Sequence, residues 1–243
     1  ITVSPGSTTT YYVRAENPCR LTTCASTTIT VRPLFTTGTI QSTGETICYG
    51  GDPGVIGSSV AASGGDNVIT YKWQANGVDI GSSNSSTYDP PAGLTTTTTY
   101  TRWAKDGTCN AFTSSSNTWT VTVRPQFTTG VIQSTGETIC YGGDPGVIGN
   151  TTLSSGGDNS ITYEWRANGT PIGTSNSSTY DPPAGLTTTT TYTRWAKDGT
   201  CNTTFTQSTN SWVVTVRPIF SGGTIASTSQ VVCYGTQPAD ITY

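Results

Sequence analysis

Apolar and polar residues alternate along short segments of this chain, and no window carries the three-and-four spacing of an amphipathic helix. Ile69-Thr70-Tyr71-Lys72-Trp73 has period two, which predicts a strand with Ile69, Tyr71 and Trp73 on one face. Asn76-Gly77 follows, the pair favoured in a two-residue hairpin turn. Pro90-Pro91-Ala92-Gly93 predicts the next turn, and a Thr-rich strand then leads into Tyr100-Thr101-Arg102-Trp103. A final strand carries Trp119, Val121 and Val123 on one face and stops at Arg124-Pro125, because proline has no N–H for a ladder. About seven short strands with a tryptophan on a central one predict an all-β fold, an immunoglobulin-like or PKD-like β-sandwich.

The same signals recur. Ile40 to Gly57 reappears letter for letter as Ile132 to Gly149, and Ser83 to Asn110 as Ser175 to Asn202, both at an offset of 92 residues. A looser third copy runs from Ile225 to Ile241, with Cys233 lying 93 residues after Cys140. A fixed period marks a tandem array in which each copy is one structural unit. Thr8 to Ala15 parallels Thr97 to Ala104, and Ile29-Thr30-Val31-Arg32-Pro33 parallels Val121 to Pro125. These matches assign residues 1–32 to the C-terminal part of an Ig-like repeat. Residues 33–124 and 125–217 are complete repeats, and 218–243 is the N-terminal part of the next. The Arg-Pro joins leave little slack, so units laid end to end are expected to form an extended array. Differences between copies support the strand register. Val68, Lys72 and Gln74 become Ser160, Glu164 and Arg166, whereas Ile161, Tyr163 and Trp165 keep the inward set.

Composition narrows the function classes. Charged residues are 10% of the 243, the net charge is −3, and six Trp and twelve Tyr argue for a folded chain. There is no basic patch for nucleic acid and no apolar run long enough to insert in a membrane. The absence of Met and the start within a repeat suggest a window of a longer polypeptide. With no His, neither a Ser-His-Asp nor a Cys-His site can be assembled. Glu45, Asp52, Asp66, Asp79, Asp89 and Asp106 mostly lie beside Gly, Pro or Asn, which marks turns rather than a catalytic pair. Gly64-Gly65-Asp66-Asn67 and Lys105-Asp106-Gly107 could offer oxygens to calcium, but they lack the carboxylate density of a calcium loop, and turn chemistry is the better account. No enzyme activity, metal or cofactor is expected.

Seven cysteines sort by the repeat. Cys48 and Cys109 are 61 residues apart, as are Cys140 and Cys201, so one internal disulfide per repeat is expected. Cys19 and Cys24 lie across a predicted hairpin and are read as a local pair, with Cys19 pairing upstream of residue 1 as the alternative. Cys233 has no partner within the window. Such cysteine use points to an oxidising, extracellular compartment. Trp103 and Trp195 fall at the opposite parity to Tyr100 and Arg102; each is either an exposed ring able to stack on a sugar or, the favoured reading, a ring packed against the neighbouring unit or under the Cys109 loop.

As a set, Ile-Cys-Tyr-Gly, Tyr-x-Trp-x-Ala-Asn-Gly and Tyr88-Asp-Pro-Pro-Ala-Gly-Leu through Arg102-Trp-Ala-Lys-Asp-Gly-Thr-Cys-Asn110 resemble the repeats of SprB-type gliding-motility adhesins. Ile1-Thr-Val-Ser-Pro and Thr-Tyr-Tyr-Val-Arg-Ala-Glu16 resemble a second repeat type of the same proteins. The resemblance implies a very long cell-surface adhesin exported by type IX secretion, with the gliding and secretion machinery as partners beside the neighbouring repeats. It carries over no catalytic or ligand residue. The expected role is a stalk; the alternative is a carbohydrate-binding module gripping surface polysaccharide through exposed aromatics.

Overall fold

The computed structural model describes residues 2–81, 83–173, 176–224 and 229–241. Ser175, which heads the second repeated block, and Ile225, which heads the third motif copy, lie outside them. Among the described residues every regular element is a strand. The chain divides into two compact units, Ile1–Phe127 with Gly156–Asp158, and Thr128–Ser155 with Asn159–Tyr243.

The N-terminal segment forms β1 (Thr9–Val13), β2 (Glu16–Asn17), β3 (Arg20–Leu21) and β4 (Ala25–Ile29), with β1 antiparallel to β4 and β2 to β3. The first full repeat supplies β5 (Thr39–Ile40), β6 (Glu45–Ile47), β7 (Ser58–Val60), β8 (Thr70–Ala75), β9 (Val78–Ile80), β10 (Thr98–Lys105), β11 (Thr113–Ser114) and β12 (Trp119–Val123). One sheet has the order β6-β12-β10-β8-β9, with β11 also on β10; β5 and β7 form a second, small layer. Within the large sheet β6 runs parallel to β12, and the other pairs are antiparallel. The second repeat copies this with β13 (Val131–Ile132), β14 (Glu137–Cys140), β15 (Asn150–Thr152), β16 (Thr162–Ala167), β17 (Thr170–Ile172), β18 (Thr190–Lys197), β19 (Thr206–Gln207) and β20 (Trp212–Arg217). Each repeat is thus an all-β sandwich, as the alternation predicts.

The hairpin turns follow from local chemistry. Asn76 (φ 49°) and Gly77 (φ 81°) occupy the left-handed region between paired Ala75 and Val78, which is what a two-residue turn of the strands' own twist demands. Asn76 also ties the turn to β10, donating its N–H to Thr99 O at 2.8 Å and accepting Thr99 N–H on Oδ1 at 2.9 Å.

The core lies between the two layers. Ile40, Ile56, Trp73, Tyr100, Trp119 and Val121 form it, and the second repeat uses Ile132, Ile148, Trp165, Tyr192, Trp212 and Val214. Trp73 and Trp165 are wholly buried, as the register predicts. Trp73 stacks on Tyr88 at 5.6 Å and donates its indole N–H to Ser85 O at 2.9 Å, so the ring is buried without an unpaired donor. The hairpin β1–β4 has the register of β10–β12: Thr9 faces Ile29 as Thr98 faces Val121, which puts Tyr11 at the place of Tyr100.

Candidate functional site

Strand β10 alternates buried Thr98, Tyr100, Arg102 and Ala104 with half-buried Thr99, Thr101, Trp103 and Lys105. Trp103 therefore lies on the outer face of the large sheet, opposite Lys72 of β8. It is neither bare nor in the core. Lys72 Nζ lies 5.2 Å from the ring centroid, and the indole N–H donates to Gln74 Oε1 at 2.9 Å. Asp79 fixes this cover by accepting from Lys72 and, at 2.6 Å, from Gln74 Nε2. The Gln74 donation and the Lys72 ammonium hold the Asp79 carboxyl below its usual range.

The second repeat reaches the same arrangement by other residues. Glu164 stands where Lys72 is and Pro171 where Asp79 is, yet Arg166, in place of Gln74, lays its guanidinium 3.9 Å from the Trp195 ring centroid. Arg166 Nε meets Glu164 at 2.7 Å. Cation and carboxylate have each moved along the sheet, and the ring has kept its cationic cover. A second cation–aromatic contact persists too: Lys105 is 4.9 Å from the Phe112 ring, and Lys197 is 4.8 Å from Phe205.

Inside the sandwich, Arg102 is completely buried. Its Nε donates to Ser115 Oγ at 3.0 Å, Nη1 to Ser86 O at 3.0 Å and to Ser58 Oγ, and Nη2 to Thr37 O at 3.0 Å. The Tyr71 ring lies 5.2 Å from the guanidinium. Arg194 repeats the set with Ser208, Ser178, Asn150 and Thr129, over Tyr163. These hydrogen-bond partners are neutral oxygens. Burial pulls the Arg102 and Arg194 pKa values down, with the nearby tyrosine acting against it. Sequence parity places this arginine with Tyr100 on the inner face, but nothing in the pattern announces a fully enclosed charge. The guanidinium joins both layers through β7 and the 37 and 115 loops, a structural use of its five fixed donors.

The two stretches considered for calcium come together at one corner. Asp66 Oδ1 accepts from Val68 N at 2.9 Å and Gly107 N at 3.0 Å, and its Oδ2 meets Thr108 Oγ1 at 2.5 Å and Arg32 at 3.3 Å. Asp106 Oδ1 accepts from Cys109 N at 2.8 Å and Asn110 N at 2.7 Å, and Oδ2 from Asn110 Nδ2 at 3.0 Å. These oxygens are engaged by protein donors, which is the turn chemistry expected of them. Burial works to raise the Asp106 carboxyl, but donation from Asn110, Cys109 and Thr108 outweighs it and keeps the group below its ordinary range. Asp198 is held down in the same way by Asn202, Cys201 and Thr200.

The cysteines correct the sequence reading. Cys109 and Cys140 are free thiols, so the expected pairs Cys48–Cys109 and Cys140–Cys201 are not formed. Cys48 and Cys201 are each disulfide-bonded. Equal spacing shows that positions are equivalent, and says nothing about whether they meet. Cys48 follows β6, whose Ile47 pairs with Val123 at the Thr98 end of β10; Cys109 lies beyond Lys105 at the other end. Seven residue steps along β10 span about 24 Å, against the 7 Å limit between disulfide Cα atoms. Cys19 and Cys24 are free as well. Cys19 sits in the β2–β3 turn, its N–H on Asn17 Oδ1, whereas Cys24 lies past β3, so that short hairpin does not oppose the two thiols. Cys233 is also free.

The family described as "Domain of unknown function (DUF8696)" matches residues 36–125 and again 128–218. The chain belongs to this family. No curated protein matches it. Among solved structures, it is similar to the Drosophila N-cadherin EC1-4 segment, at 13% identity over 86% of this chain and 57% of that one, with a TM-score of 0.43. Similar also are Sidekick-1 immunoglobulin domains 1-4, at 14% identity over 88% and 60% with a TM-score of 0.40. The fibronectin(III)-like modules of Clostridium thermocellum CbhA match at 16% identity over 74% and 94%, with a TM-score of 0.32.

Proposed function

We propose that these repeats are stalk modules of a secreted, cell-surface adhesin of the SprB type, exported by type IX secretion and serving surface adhesion during gliding. The observation that carries the reading is the way polar groups are used. In two near-identical sandwiches the buried arginine, the Asp106 and Asp198 carboxylates and the outer tryptophan are all engaged by their own repeat, as suits modules that bear a distal binding region. Disulfide-bonded Cys48 and Cys201 support an extracellular setting. A carbohydrate module would need Lys72 and Arg166 to leave the Trp103 and Trp195 rings before a sugar could stack there, which disfavours the polysaccharide-binding alternative.

Antibodies raised against residues 33–217 are expected to label intact, unpermeabilised cells and to move with them as they glide. Labelling only after lysis would reject the surface reading. A stalk further requires the two repeats to be laid end to end, so small-angle scattering of residues 33–217 is expected to give an elongated particle and a folded-back pair would reject it. Binding of common polysaccharides at millimolar or tighter strength by this fragment would favour the carbohydrate module instead.

A further inference from the structure

The chain enters the first repeat at one end of β10 and leaves it at the other. At the entrance Gly65 N donates to Pro33 O at 2.9 Å, and Arg32 meets Asp66, which also holds Gly107 N just beyond Lys105. The exit lies past Thr98, which pairs with Val121, and there Arg124 N donates to Ile47 O at 2.9 Å. A pull on the two ends of this repeat therefore runs along its strands. The entering segment is held parallel to the leaving one at two places. Beside β5, Ile40 N donates to Ser116 O and Ser116 N to Gly38 O, each at 3.3 Å. Farther on, β6 pairs with β12 from Glu45–Val121 to Ile47–Val123. Parallel strands drawn from opposite ends slide along one another, so their bonds must fail together. Strands drawn apart across a sheet lose their bonds one at a time.

The buried arginine lies across that path. From β10 its Nη2 donates to Thr37 O, in the entering segment, and its Nε to Ser115 Oγ, at the head of the leaving one, both at 3.0 Å. Ser115 Oγ donates on to Thr37 O at 3.1 Å, and Thr37 Oγ1 to Ser114 O at 3.2 Å. One carbonyl of the first segment is thus tied both to the middle of the sheet and to the start of the last strand. The second repeat is built alike. Arg194 Nη2 and Ser208 Oγ converge on Thr129 O at 2.9 and 2.8 Å, and Thr209 bonds Gly130 O and Ile132 N at 3.2 Å each. Its parallel ladder runs from Glu137–Val214 to Cys140–Arg217. Enclosing a guanidinium among neutral oxygens is unfavourable, and an apolar side chain of similar size would fill the same space. What arginine adds is a rigid fan of donors that reaches several segments at once.

We propose that Arg102 and Arg194 are the rivets of a shear clamp: each pins the entering segment of its own repeat to the leaving one and sets the force at which a pulled repeat yields. The inference deepens the stalk reading and rests on it for the source of the load; the clamp itself lies within one repeat. Forced unfolding is governed by the unfolding rate, so a contact that must break on the load path weighs more than an equal one elsewhere.

The test is single-molecule pulling of the full chain, with reductant present so that disulfide-bonded Cys48 carries no load. Handles at exposed Leu34 and Pro125 load the first repeat along its strands. Handles at exposed Val78 and Pro125 load it across them, because Val78 opposes Ala75, which opposes Tyr100 near the same end of β10 as the exit. The parent should withstand a higher force along the strands than across them. Arg102→Met should speed yielding along the strands by about tenfold or more at one fixed force, as the loss of hydrogen bonds to a charged donor implies, and change the rate across them by less than about twofold. Ser115→Ala keeps the charge and removes its bonds to Arg102 and Thr37; it should act in the same direction, and it decides the matter if Arg102→Met does not fold. Equal speeding along both axes would reduce the arginine to a general support of the core and overturn the proposal. A parent that yields more readily along the strands than across them would do the same. Neither result bears on where the protein resides, which surface labelling decides separately.

Discussion

At the scale of the residue, two side chains show how much depends on what surrounds them. Trp73 is legible from the alternation around it, and its complete burial among Ile40, Ile56 and Tyr100 makes truncation costly. Trp73→Ala should destabilise its repeat by about 3–5 kcal/mol in chemical denaturation, and a loss under 1 kcal/mol would contradict the packing. Asp106 carries no such apolar signature, yet its carboxylate organises the Cys109 turn. Its folded pKa is depressed, so its contribution is fully present above the unfolded value of about 3.9 and is lost as pH falls through the folded value. Asp106→Asn should therefore be destabilising at pH 7, and the gap from the parent should close as pH falls below about 4. A gap that stays constant across that range would mean that shape, and not charge, sets the residue's worth.

The elements were readable where the signal is local. Asn76-Gly77 and the Ile69 to Trp73 alternation specify β8, its turn and its inward face without help from elsewhere, and the structure adopts them. Gly77 has φ 81° with open space around it, so Gly77→Ala meets no clash and suffers only the cost of the left-handed backbone. A loss of about 1–2 kcal/mol in that repeat is expected, and Asn76→Gly should be nearly neutral by comparison. Equal effects of the two changes would show that the turn is not held in this form. What the sequence left unread is non-local. That Arg102 would be enclosed depends on Ser58, Ser86, Thr37 and Ser115 converging from four separate segments. No periodicity in β10 encodes that meeting. The outer tryptophans were half legible: parity put Trp103 outside, but its cover by Lys72, and the transfer of that role to Arg166, appear only when the strands are set side by side.

Across the whole molecule, charge plays a small part and sulfur chemistry a testable one. The ion pairs Arg14–Glu16, Lys72–Asp79 and Arg166–Glu164 lie at or near the surface, where water screens them and such pairs contribute little to stability. The oxidation state gives a sharper check on how the repeats are built. Closing each repeat on itself, with Cys19 joined to Cys24, would consume six of the seven cysteines and leave Cys233 as the single free thiol. The structure instead leaves Cys19, Cys24, Cys109, Cys140 and Cys233 free. Thiol titration of the unfolded, unreduced chain separates the two outcomes, because unfolding exposes every thiol while leaving the disulfide intact. Five thiols per chain are expected, with Cys48 and Cys201 the two that resist alkylation until a reductant is added. A single reactive thiol would restore the in-repeat pairs and would require each β10 strand to give up the span that now separates its cysteines.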